Sequence, residues 1–242
     1  MKKRKDNEVL NFIAMVFAGL AVVALIGVVL IALWFGFNYY MRLVEGKPFS
    51  TEVSEADIES VITFTGERDE ATIEEIKEEM AYLPEALVAQ FIYDGGVIIV
   101  EDRPLKLIGD VNNSIGFDEN GEVIKADASD EDSVLGACGT KNGEVIIYLV
   151  KGHTDTACHE FGHYFSRYAT DSVIREAYNF NWAMTSLDKA SICDELLGNC
   201  DYFDDEEEYF AECFRQYVKG DITEEKYAAT VSFFEDAVKT LD

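Results

Sequence analysis

The sequence predicts an α+β protein: a membrane-spanning helix at the N-terminus, then one folded domain with a small mixed sheet and helices gathered toward its C-terminal end. Three observations carry that reading. Residues 12–37, FIAMVFAGLAVVALIGVVLIALWFGF, hold no ionisable side chain. Two strand-like apolar runs, VIIVED (97–102) and EVIIYLV (144–150), stand among segments of helical periodicity. The stretch DDEEEYFAECFRQYVKG (204–220) has the caps and the apolar stripe of a helix.

The N-terminal run is 26 residues long, more than the roughly 20 that a helix needs to cross a bilayer core of about 30 Å. Trp34, Tyr39 and Tyr40 cluster at its end, where amphipathic rings favour the headgroup level. A cleaved secretory signal has a shorter apolar stretch, about 7–15 residues, followed by a small-x-small site, and NYYMRLVEG offers no such site. Lys2, Lys3, Arg4 and Lys5 precede the run, against Arg42 and Lys47 just after it. That imbalance predicts a cytoplasmic N-terminus with the rest of the chain outside the cytoplasm. The expected organisation is a basic cytoplasmic segment (1–11), an anchor in the lipid bilayer (12–37), a tether (38–56) and a domain (57–242). The protein would be single-pass, with its domain extracellular or in the cell envelope.

Hydrophobic residues make up 48% of the chain, enough for a sizeable core. A formal net charge of −27 disfavours nucleic acid as a partner, because phosphate binding needs a field of the opposite sign. Within the domain, Ile73, Ile76, Met80 and Leu83 repeat at helical spacing, while Glu74, Glu75, Glu78 and Glu79 fill the other face. That acidic run reads as a solvated surface. Pro84 opens a second helix, with Leu87, Val88, Phe91 and Ile92 on one side and Gly95 as its stop. Asn120-Gly121 and Asn142-Gly143 read as hairpin turns, the second joining about 134–140 to EVIIYLV.

Soon after that strand comes CHEFGHYF (158–165), with two of the three histidines in the chain. Thr154 or Asp155 can cap a helix running to about Tyr168. His159 and His163 are four apart and lie one turn above each other on one face, where two imidazoles can hold one Zn2+. Glu160 lies about 100° around the helix from His159. It borders the metal without ligating it, where a base for the attacking water belongs. Ala157, Phe161, Phe165 and Tyr168 form an apolar stripe that anchors the helix to the core. The competing reading is a polar helix face with unrelated histidines; the amphipathic context opposes it.

A catalytic zinc takes three protein ligands and keeps one position open. His153 precedes the helix and is poorly placed to be the third. The stretch 204–220 is the better source. Asp204 or Asp205 can cap a helix there, Lys219 sits near its negative end and Gly220 stops it. Phe210, Phe214, Tyr217 and Val218 form its buried stripe. Glu208 and Glu212 share another face, so one can ligate zinc while the other accepts a hydrogen bond from a ligand imidazole. In so acidic a chain the same pair reads equally as solvent-facing.

HEFGHYF, followed by EYFAECF with Glu208 45 residues after His163, resembles the catalytic domain of anthrax toxin lethal factor and the related secreted Pro-Pro endopeptidases. LPEALVAQFIYDGGVIIVEDRPL (83–105) is similar to the opening helix and strand of that family, and the likeness covers roughly residues 57–240. The resemblance implies a zincin-like metallopeptidase domain of gluzincin type. It makes His159, His163 and Glu208 the zinc ligands, Glu160 the general base and Glu212 the acid that holds a ligand imidazole. It also implies an oxyanion donor at Tyr202, which stands one residue nearer to Glu208 than in the family pattern. The partner is then a peptide or protein substrate, lying extended along an edge strand, expected at EVIIYLV.

The function expected is that of a membrane-anchored, extracytoplasmic zinc endopeptidase. A catalytically silent zincin-like binding module displayed on the membrane is the alternative, and the intact Glu160 argues against it. An anchored structural protein is a third reading, distinguished by binding no stoichiometric zinc. Of five cysteines, Cys193 and Cys200 bracket a short segment and can form a disulfide in an exported domain. Cys158 and Cys213 adjoin His159 and Glu212, but on helices they point elsewhere.

Overall fold

Local capping starts the described fold at Ser54. Its side chain accepts from the Asp57 N–H while the Asp57 carboxylate accepts from the Ser54 N–H, a reciprocal pair that opens helix α1 (Glu55–Ser60). The computed structural model describes residue 30 and residues 51–108, 114–115, 123–126, 133–169, 188–197 and 206–241. The turn expected at Asn120-Gly121, the caps expected at Asp204 or Asp205, and Tyr202 and Cys200 lie outside the described residues.

Strand β1 (Ile62–Phe64) is followed by α2 (Glu70–Met80) and α3 (Glu85–Tyr93). Asp69 caps α2 by accepting from the Ala71 N–H. Ile73, Ile76 and Met80 are buried as their period requires. Pro84 precedes α3, and Gly95 beyond its end has a φ of 74°, the left-handed conformation that glycine supplies without a Cβ clash. The two helices cross over to β2 (Val97–Glu101), which lies parallel to β1. A small second sheet follows, in which β3 (Leu105–Ile108) pairs antiparallel with both β4 (Ser114–Ile115) and β5 (Ser133–Val134).

The chain then re-enters the main sheet through β6 (Gly136–Lys141) and β7 (Glu144–Val150), giving the strand order β1-β2-β7-β6. β7 is parallel to β2 and antiparallel to β6. Asn142 and Gly143 join the last two strands with φ of 55° and 89°, both positive as a type I′ hairpin turn requires. EVIIYLV is therefore an inner strand, contrary to the edge position expected for it. Val145 to Val150 are all buried, and a near-continuous apolar run is what a strand covered on both faces needs. Among the described residues, the unpaired edge beside the motif helix is β6.

After β7, a single 3-10 turn (Thr154–Thr156) leads into α4 (Ala157–Tyr164), and a wider π turn (Phe165–Ala169) ends it. Neither Thr154 nor Asp155 caps α4. Its N-cap is Thr156, which makes no side-chain capping bond, and the Thr154 hydroxyl instead donates to Glu75 at 3.2 Å. The helix is held by its apolar stripe: Ala157, Phe161 and Phe165 are buried. Helices α5 (Glu206–Val218) and α6 (Glu224–Lys239) complete the described fold. Aromatic contacts tie them together, with ring centroids 5.0 Å apart for Phe91–Phe161, 5.3 Å for Phe165–Phe214 and 5.6 Å for Phe214–Phe234. Cys158 and Cys213 are buried, Cys158 donating to the Glu79 carbonyl, and Cys193 is disulfide-bonded.

The mixed α/β architecture is present, but the transmembrane helix of the expected fold class is not found among the described residues. Among the described residues, no helix is long and apolar enough to cross a membrane. The longest, α6, has 16 residues and carries Glu224, Glu225, Lys226, Glu235, Asp236 and Lys239, too short and too charged for a bilayer core. The expected span 12–37 itself lies, Leu30 apart, outside the described residues. The single-pass localisation built on that span, with its extracytoplasmic domain, is therefore not borne out, and the bilayer contact has no support among the described residues.

Candidate metal centre

Two helices build the site, and a glycine lets them meet. A Cβ placed on Gly162 of α4 would lie 2.7 Å from the Ala211 Cα of α5, so the two backbones touch with no side chain between them. That approach brings Glu208 of α5 against the imidazoles of α4. His159 Nε2 is 3.1 Å from Glu208 Oε2, and His163 Nε2 is 3.4 Å from Glu208 Oε1. The ligand atoms of His159, His163 and Glu208 all lie within 4.8 Å of one another. Glu212, one turn further along α5, is 3.1 Å from His159 Nδ1 through its Oε2. His153 is exposed and stands outside this cluster.

Glu160 is 5% exposed. Its Oε2 and His163 Nδ1 are buried without a hydrogen-bond partner among the described residues. The space around Glu160 is reserved by Gly136 at the start of β6, where a Cβ would come within 2.6 Å of Glu160 Oε1. Arg167, in the turn after α4, reaches both neighbouring elements. It donates from Nη1 to the Cys138 carbonyl of β6 at 3.2 Å and from Nε to Glu207 of α5 at 2.7 Å.

The charges follow from this packing. Burial works against charge on His159, yet hydrogen bonds to Glu208 and Glu212 outweigh it and lift the imidazole from 6.5 to about 10. Burial likewise opposes charge on the two acids, and the bonds from His159 more than offset it. Glu212 falls to about 2, with Arg215 and Gln216 adding to the effect, and Glu208 is held well below the usual carboxylate range. For Glu160 burial dominates and raises the carboxyl, with His159 and His163 opposing. One pocket thus holds carboxylates pushed in opposite directions, an arrangement typical of sites that separate binding from proton transfer.

Two imidazole nitrogens and one carboxylate oxygen are a donor set that suits a divalent metal ion such as zinc. The remaining polar groups fit as well. His159 turns Nδ1 to Glu212 and so leaves Nε2 for the metal, while the orphaned Glu160 oxygen lies beside the cluster as a non-ligating base would. Sequence reasoning missed Gly136, Gly162, Arg167, Arg215 and Gln216. The spacing of Glu212 and Arg215, three apart on one helix, was a usable signal. The glycines gave none, because their neighbours come from distant elements.

A mixed sheet backed by a helix that offers two imidazoles, with a carboxylate delivered from a second helix, defines a candidate metal-binding α+β domain. The family described as anthrax toxin lethal factor, N- and C-terminal domain, matches residues 50–230, and the chain belongs to that family. Among solved structures, the Pro-Pro endopeptidase PPEP-2 from Paenibacillus alvei is similar, with a TM-score of 0.44 and 15% identity over 74% of this chain and 98% of that one. No curated protein matches the chain.

Proposed function

We propose that this protein is a zinc endopeptidase of the gluzincin type. One observation carries the reading: metal-ligating atoms of His159, His163 and Glu208 converge within 4.8 Å, beside a buried Glu160 whose Oε2 has no hydrogen-bond partner among the described residues. Membership of the lethal factor family supports it.

His159, His163 and Glu208 would hold the zinc. When bound, zinc supplies Lewis acidity, polarising a carbonyl and bringing the pKa of water toward about 7. The proton movements fall to the chain's own residues. Glu160 takes a proton from the attacking water and later delivers it to the leaving amine nitrogen, a relay that its burial-raised carboxyl suits. Glu212 fixes the His159 ring by accepting from Nδ1. Tyr202, outside the described residues, is assigned the donor role toward the developing oxyanion, worth about 2.7–4 kcal/mol for such groups.

The peptide is assigned to the free edge of β6, in place of the inner strand EVIIYLV. The Val150 N–H donates to the Leu135 carbonyl. By the alternation of an antiparallel ladder, the main-chain groups of Gly136, Cys138 and Thr140 then turn outward. These can pair with an added strand, although Arg167 already occupies the Cys138 carbonyl.

The test is cleavage of a broad peptide library by the full chain loaded with zinc. Glu160→Gln should retain stoichiometric zinc while kcat/KM drops about 10²–10⁴-fold. Equal inactivity of wild type and variant, both zinc-loaded, would favour a silent binding module instead.

A further inference from the structure

We infer that Arg215, with Gln216 beside it, is a positioning residue for the metal: together they lock the Glu212 carboxylate that orients His159. The inference rests on the zinc reading above and deepens it. Glu212 is 6% exposed, and both of its oxygens are engaged. Oε1 accepts from Arg215 Nη2 at 2.5 Å, from Arg215 Nε at 3.1 Å and from Gln216 Nε2 at 2.8 Å. Oε2 accepts from Arg215 Nε at 3.0 Å and from His159 Nδ1 at 3.1 Å.

A carboxylate gripped in this way cannot turn about its terminal bond without losing several hydrogen bonds at once. The plane of Glu212 is therefore fixed by the planar guanidinium, and the direction of the His159 Nδ1–H follows from it. Fixing that direction aims Nε2 at the place where Glu208 approaches. The second imidazole has no such support, since His163 Nδ1 is buried without a partner among the described residues. The outer bracing of the imidazole pair runs through Glu212, and Arg215 supplies most of its hydrogen bonds. Lysine cannot replace the guanidinium here, because an ammonium has no rigid fork to set the carboxylate plane.

The experiment measures zinc affinity of the full chain, stripped of metal and titrated in competition with a chromophoric chelator. It compares wild type, Arg215→Met and Arg215→Lys. Melting of the metal-free proteins runs in parallel, to separate positioning from folding. Arg215→Met keeps the length and packing of the stem. It should bind zinc about 10–100-fold more weakly, the range found when an outer partner of a metal-bound histidine is lost, with a metal-free melting temperature close to that of wild type. Arg215→Lys should fall between the two. If Arg215→Met fails to fold, weakened zinc binding by Arg215→Lys decides the matter alone. Wild-type affinity in a folded variant overturns the inference and leaves the zinc reading intact. Failure of wild type to bind zinc at all overturns both.

Discussion

Helices α2 and α5 are both acidic on one side and apolar on the other, and they are used in opposite ways. In α2, Glu74, Glu75 and Glu78 are exposed, Glu74 meets Lys77 of its own helix, and Glu79 is joined by Lys219. In α5, Glu208 and Glu212 turn inward, where two imidazoles, a guanidinium and an amide meet them. Both helices are rich in glutamate, so acidic content alone does not make the site. The difference comes from what each acidic face packs against: mostly water for α2, the His159–His163 face of α4 for α5.

The largest effect that sharpens this contrast is loss of the metal. Glu208→Ala should abolish stoichiometric zinc binding, measured by metal analysis after gel filtration. Glu78→Ala on the exposed face of α2 should leave zinc content unchanged and stability within about 0.5 kcal/mol. Zinc retained by Glu208→Ala would mean that α5 is no more than another solvated helix.

A smaller effect tests the approach of the helices. Gly162→Ala forces a Cβ toward the Ala211 backbone, and such overpacking should cost about 1–3 kcal/mol by denaturant unfolding of the metal-free protein. Zinc affinity should weaken with it, because Glu208 is moved away from the imidazoles. An unchanged affinity would show that the backbone contact does not set the distance.

The smallest effect concerns pH. In the metal-free protein Glu212 sits at about 2, against 4.5 for an ordinary glutamate. Its contribution to stability is complete above pH 4.5 and is lost as pH falls toward 2, since the unfolded chain then binds the extra proton. His159, raised from 6.5 to about 10, contributes fully below pH 6.5 and loses that contribution as pH rises toward 10. Melting temperature against pH, with chelator present, should therefore peak between about pH 4.5 and 6.5 as far as these two groups are concerned. Glu212→Gln should flatten the acid limb, and superimposable profiles would remove Glu212 from the account.

What could be read from the sequence was local. The buried stripes of α2 and α4, the Asn142-Gly143 turn and the His159–His163 spacing depend on residues within two turns or one hairpin, and each is recovered in the fold. Glu208 was different. Its helix was legible and its spacing from Glu212 made it a candidate, but that this acid and not Glu78 faces a histidine depends on packing between elements 45 residues apart, and the family resemblance was what singled it out. The position of EVIIYLV was misjudged because strand order is a long-range property, although its unbroken apolar run carried the signature of an inner strand. The hydropathy of residues 12–37 spoke of a span, and the described helices include none.

The bare contact of Gly162 with Ala211 gives the candidate cage a ruler made of peptide backbone. Side chains can flex or switch rotamer to absorb a strain, whereas main chain against main chain has no slack to share. The gap between the imidazoles and Glu208 is thus fixed by the one dimension that mutation elsewhere in the core alters least.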